Sequence, residues 1–158
     1  MTKTRPGRIV PLALVVAAGV AAAGYYLVRS EALPSGPQDV IWDHTQCAEC
    51  RMSVSERNYA AQLQTQDGRI LDFDDAGCLF RFERHDQDAV HAVYFRHVRE
   101  DRWLSGSKTA FIESGPSPMG YDLGAVEKGT AGALDIATVR ARFEQPAATG
   151  AGEASDAH

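Results

Sequence analysis

The residues of this chain best suited to chemistry stand in one short run, His44-Thr-Gln-Cys47-Ala-Glu-Cys50-Arg-Met52. Two residues separate the thiols, so both can meet one metal ion or close one disulfide. Met52 adds a thioether two positions further on. Soft sulfur ligands select copper(I), whereas carboxylate-rich sites favour harder ions. Two more sulfurs lie downstream: Cys78, at the start of an expected helix, and Met119 in Pro118-Met119-Gly120. Proline and glycine around a lone methionine suggest a fixed, exposed turn rather than a core position.

Each of these residues also has a plainer reading. Cys47 and Cys50 could serve only as a disulfide, which an oxidising compartment permits. They could instead be two ligands of a structural zinc with Cys78 and a histidine, although the usual second Cys-x-x-Cys or His-x-His pair is missing. Met52 could be core filler, and Cys78, beside Leu79 and Phe80, reads as buried and inert. His85, His91 and His97 stand among Asp, Glu and Arg without a shared motif and read as surface residues. A c-type haem is excluded, because Arg51 rather than histidine follows the second cysteine. A thioredoxin-like site wants the pair to open a helix after a strand, and only a short 40–42 segment precedes it here.

The elements that must position these sulfurs have an α+β pattern. Residues 58–65 alternate Tyr59, Ala61 and Leu63 against Gln62 and Gln64, as in a half-buried strand. Asp67-Gly68 supplies a turn and 69–73 returns, giving a hairpin. Asp74 or Asp75 can cap a helix carrying Ala76, Leu79, Phe80 and Phe82. Residues 89–98 form another strand, 103–112 a short helical turn and then a strand, and 135–143 a closing helix with Ile136, Val139 and Phe143 at helical spacing. Hairpins followed by short helices argue for α+β rather than a doubly wound sheet.

The first part of the chain is different. Residues 9–28 carry no charge, and at about 1.5 Å per residue they would make roughly 30 Å of helix, the thickness of a bilayer core. Lys3, Arg5 and Arg8 precede them, which favours a cytoplasmic N-terminus and export of the remainder of the chain. The expectation is a single-pass inner-membrane protein, residues 1–29 being the transmembrane anchor and the domain facing the periplasm. Its rival is a signal segment cleaved after Ala21-Ala22-Ala23, leaving the domain free in the periplasm. Residues 30–39 read as a linker, 40–144 as the domain and 145–158 as a disordered tail. Beyond residue 29 stand 12 basic and 21 acidic residues, a formal net charge of −9. Such a surface repels phosphate backbones and excludes a nucleic-acid partner.

Four blocks in order resemble the NosL family of copper-binding accessory proteins of nitrous oxide reductase assembly. They are Cys47-Ala-Glu-Cys50-Arg-Met52, Ala60-Ala61-Gln62, Phe73-Asp74-Asp75-Ala-Gly-Cys78-Leu-Phe80 and Pro118-Met119-Gly120. The resemblance implies a small α+β domain of two ββαβ-like halves and a copper(I) site of Cys and Met sulfur. Carried over, Cys50, Met52 and Met119 are the ligands, with Cys47 next and Cys78 or His44 as further candidates. It implies delivery of copper to nitrous oxide reductase or its maturation machinery, without catalysis. Two departures stand out. No cysteine precedes Cys47, so the lipid anchor usual in the family is not expected here. Arg51 replaces the family's usual glycine; its charge would favour thiolate in the neighbouring cysteines, and its side chain would alter the turn. The alternative function is a membrane-anchored thiol–disulfide protein using Cys47 and Cys50, and a third is an interaction module held by a disulfide.

Overall fold

A computed structural model describes residues 9–30, 33–86 and 89–144, with side chains in the first helix described over 14–25. The chain divides into two units, Met1–Leu33 and Pro34–His158. The first contains one helix, α1 (Ile9–Ser30). Among the described residues, no helix is long and apolar enough to cross a membrane. This corrects the expected single-pass inner-membrane placement and its transmembrane helix. Side chains of this helix are described over residues 14–25, twelve in all. Seven of those twelve are alanine or glycine, which contribute little apolar surface. The expected tail, 145–158, lies outside the described residues.

The second unit is the α+β domain. The Asp67-Gly68 turn closes as expected, with Gly68 at φ +88°, and joins β1 (Ala61–Thr65) to β2 (Ile70–Phe73). Helix α2 (Ala76–His85) starts at Asp75, whose carboxylate accepts the Gly77 N–H at 2.9 Å. That bond satisfies one of the orphan donors of the first turn. Strand β3 (Val90–Arg96) returns beside β1, and β4 (Trp103–Ser105) beside β3, giving an antiparallel sheet in the order β2-β1-β3-β4. After a 3₁₀ turn, Gly106–Lys108, a second antiparallel sheet forms from β5 (Thr109–Glu113), β6 (Leu123–Glu127) and β7 (Leu134–Asp135), in the order β6-β5-β7. Helix α3 (Ile136–Glu144) comes last.

The first half, β1-β2-α2-β3, is therefore ββαβ. The second has three strands before its helix, and among the described residues no strand comes after α3. The two halves share one core. Phe80 of α2, Phe95 of β3 and Phe111 of β5 meet with ring centroids 5.0–5.8 Å apart. Each ring is fully buried, and each contributes about 1.5–3 kcal/mol by leaving water. This cluster fixes α2 against both sheets.

The alternation in β1 misleads in one respect. Gln62 and Gln64 are buried, not exposed. The segment read as a free linker covers them: Gln62 Oε1 accepts the Gln38 N–H at 2.7 Å, and Gln64 Nε2 donates to the Gly36 carbonyl at 2.8 Å. The 40–42 segment, read as a short strand at best, forms no strand.

Candidate metal centre

Cys47 and Cys50 lie at the tip of a tight loop. Its base is closed by the Asp43 N–H to the Val54 carbonyl (3.0 Å) and the Val54 N–H to the Thr45 carbonyl (2.8 Å), with Gln46 paired to Ser53. Higher up, the Cys47 N–H donates to the Met52 carbonyl (2.8 Å) and the Arg51 N–H to the Cys47 carbonyl (3.0 Å). Closing this turn places Arg51 at φ +66°, a left-handed conformation that glycine adopts most cheaply. The chain thus keeps a glycine-type turn with an arginine in it.

Four contacts fix this loop to the fold. The Ala48 N–H donates to the Asp72 carbonyl of β2 at 2.9 Å. Asp74 Oδ1 accepts the Ser55 N–H at 2.8 Å. Glu49, between the two cysteines, pairs with Arg81 Nε at 3.2 Å and His85 Nε2 at 2.8 Å, both on α2. Pairs this exposed on the helix side are worth under about 1 kcal/mol each, so they orient the turn more than they stabilise it.

Helix α2 supplies the third sulfur. Cys78 is in its first turn, its N–H donating to the Asp75 carbonyl at 3.0 Å. The sulfurs of Cys47, Cys50 and Cys78 all lie within 4.8 Å of one another. Three sulfurs around one ion at bonds of ~2.3 Å would stand roughly 4 Å apart, so small movements suffice to enclose one. All three cysteines are free thiols. Cys47 is 0% and Cys78 1% exposed, while Cys50 is half-buried.

Their protonation is divided unequally. The Cys47 thiol is pulled from its ordinary value near 9 down to about 5, first by a hydrogen bond from the Cys78 thiol. Burial opposes this, and backbone N–H groups of Cys50, Asp74 and Glu49 assist it. Cys78, the donor, is pushed up by that same bond and then by burial. Cys50 is pushed up by burial first, against a backbone bond from Met52. The charge of Arg51 is not among the leading causes. At neutral pH the site holds one thiolate and two thiols.

A fourth arm reaches the same helix end. Asp75 Oδ2 accepts the Ser117 hydroxyl at 2.5 Å and the Met119 N–H at 3.3 Å. Gly77 makes room for this loop, since a Cβ there would fall 2.2 Å from the Tyr121 ring. Burial pushes the Asp75 carboxyl up, with the bonds from Ser117, Gly77 and Met119 opposing it.

No family model matches the chain, and no curated protein matches it. Among solved structures it is similar to the crystal structure of the copper chaperone NosL from Shewanella denitrificans. The identity is 17%, the TM-score 0.48, and the match covers 70% of this chain and 87% of that one.

The sulfurs named from sequence divide into three groups. Cys47 and Cys50 converge, and Cys78, expected to be inert, joins them. Half-buried Met119 packs against the core cluster that contains Cys47 and Cys78. Met52 is 54% exposed, held beside the cysteines through its backbone carbonyl. His44 is exposed, and no His, Asp or Glu among the described residues joins the three sulfurs at that range. Glu49 and Asp75 are the contributors that the motifs did not single out. Their signal was present, a carboxylate inside the Cys-x-x-Cys pair and another at a helix cap.

A second cluster, His97, Glu100 and Glu127, is close enough to suggest a metal site, but its members already partner one another and Arg102. The Arg99 N–H donates to His97 Nδ1 at 3.1 Å. The ring hydrogen therefore stands on Nε2, which donates to Glu127 Oε2 at 3.2 Å. Arg102 pairs with Glu100 at 2.6 Å and also with Glu127. This is an ion-paired network, and it corrects the reading of His97 as a surface residue, since its side chain is buried.

Proposed function

We propose that this chain binds one copper(I) ion through Cys47, Cys50 and Cys78 and passes it to another protein, without catalysing a reaction. The convergence of three sulfurs with no nitrogen or oxygen ligand among them carries this reading. Soft thiolates suit copper(I), and a structural zinc would call for a fourth ligand in a closed tetrahedron. The resident thiolate offers a first bond, and the cation offsets the charge lost from water as the remaining thiols give up their protons.

The gradient of exposure gives transfer a direction. Cys47 and Cys78 are buried, Cys50 is half-buried and Met52 is exposed. A recipient's ligand would meet the ion at Cys50 and Met52 and displace the inner sulfurs stepwise. Met119, from the other loop, is proposed as a neutral donor. The four motif blocks that resemble the NosL family make nitrous oxide reductase, or its maturation machinery, the proposed recipient.

The test is an anaerobic titration of the reduced chain against a coloured copper(I) chelator, repeated with zinc. One copper(I) retained far more tightly than zinc is the expected result, and equal retention of zinc would contradict it. The thiol–disulfide reading has the low Cys47 value in its favour. Against it, the thiolate is the buried sulfur and the accessible one, Cys50, is held protonated, the reverse of what exchange with an external disulfide needs. Insulin reduction by the chain would favour that alternative.

A further inference from the structure

We propose that Asp75 is a positioning residue that holds Met119 at the copper site, a role that rests on the proposed copper(I) binding. One buried carboxylate ties together two parts of the chain that share no element. Its Oδ1 caps α2, the helix that carries Cys78, through the Gly77 N–H. Its Oδ2 accepts the Ser117 hydroxyl and the Met119 N–H, 42 and 44 residues further along.

The far side of this link is built to match. Ser117 Oγ, while donating to Asp75, accepts the Asp122 N–H at 2.9 Å, and Asp122 Oδ1 accepts the Ser117 N–H at 2.9 Å. The Gly120 N–H closes the turn onto the Ser117 carbonyl at 3.0 Å, with Gly120 at φ +71°. Met119 therefore has a fixed backbone, and its own N–H is anchored to the start of α2 through Asp75. Met119 is half-buried and packs against the core cluster that contains Cys47 and Cys78.

The chemistry demands an acid at position 75. Both ends present donors, N–H of Gly77 on one side and O–H and N–H of the Met119 loop on the other, and only a carboxylate accepts on both sides. Asparagine caps helices as well as aspartate, but its amide would face the Met119 N–H donor to donor. Asp75→Asn thus separates the two functions, keeping the cap and losing the hold on Met119.

The experiment is a double-mutant cycle on the full reduced chain, with copper(I) affinity read by chelator competition and the fold by circular dichroism. Met119→Ala and Asp75→Asn should each weaken binding, Asp75→Asn by roughly 10-fold, as loss of a supporting partner does. The double variant should bind no more weakly than Met119→Ala alone, because the lost interaction is the same. Multiplying losses would mean that Asp75 acts through general structure, and the proposal would be wrong. Wild-type affinity in Asp75→Asn, with Met119→Ala weakened, overturns the Asp75 role and leaves the copper reading standing. Wild-type affinity in Met119→Ala overturns the role of Met119 itself, and with it this inference. Should Asp75→Asn fail to fold, Ser117→Ala decides: it removes one arm of the link and leaves the cap, and non-additivity with Met119→Ala is again expected, additivity again refuting.

Discussion

Cys78 is expected to set the protonation of Cys47, and two substitutions separate its parts. In the wild type, a Cys47 value of about 5 gives a thiolate-to-thiol ratio of roughly 100 to 1 at pH 7, where an ordinary cysteine is mostly thiol. The Cys78 hydrogen bond is the largest cause, and burial works against it. Cys78→Ala removes the donor and leaves the burial, so the anion keeps only backbone N–H groups and the Cys50 thiol. The midpoint should rise by about 2 units or more, bringing the ratio at pH 7 to about 1 or below. Cys78→Ser retains a hydroxyl donor of similar reach and should keep the midpoint within about a unit of wild type. The assay is the ultraviolet absorbance of the thiolate, measured through a pH titration of the reduced, metal-free chain. A Cys78→Ala curve that coincides with wild type would refute the reasoning, because the remaining donors would then hold the anion without Cys78.

The same geometry sets other outcomes. Since the folded value of Cys47 lies below its unfolded value near 9, its contribution to stability is complete above pH 9 and is lost as pH falls towards 5; the stability gap between wild type and Cys47→Ala should widen from pH 5 to pH 9, and a constant gap would contradict this. Arg51 at φ +66° carries a left-handed cost of about 1–2 kcal/mol, partly offset by glycine's greater freedom in the unfolded chain. Arg51→Gly should raise stability by about 0–1 kcal/mol and Arg51→Val lower it, as denaturant midpoints would show. Gly77→Ala drives a Cβ into the Tyr121 ring and should cost about 1–3 kcal/mol, much of it recovered when Tyr121 is also shortened to Ala.

What the sequence revealed depended on how local each signal was. The Cys47–Cys50 pair, the Asp67-Gly68 hairpin and the capped helix at Asp75 are short-range features, and they stand where the residues place them. Cys78 read as inert because Leu79 and Phe80 beside it are apolar; its partners are set by how α2 packs on the loop, which no local pattern records. Gln62 and Gln64 read as solvent-facing because alternation reports side-chain chemistry, not what crosses above the strand. Strands β6 and β7 escaped notice, the first containing Gly124, a poor strand former, and the second only two residues long. The uncharged stretch near the N-terminus fits a membrane span by count, yet much of it is alanine and glycine.

X-ray absorption at the copper edge of the copper(I)-loaded chain tests the central claim most directly. A nearest shell of sulfur alone at roughly 2.3 Å, with one ion per chain and one sulfur fewer in Cys78→Ala, is the expected result. A shell containing nitrogen or oxygen, or a shell and affinity unchanged in Cys78→Ala, would contradict a site built from Cys47, Cys50 and Cys78.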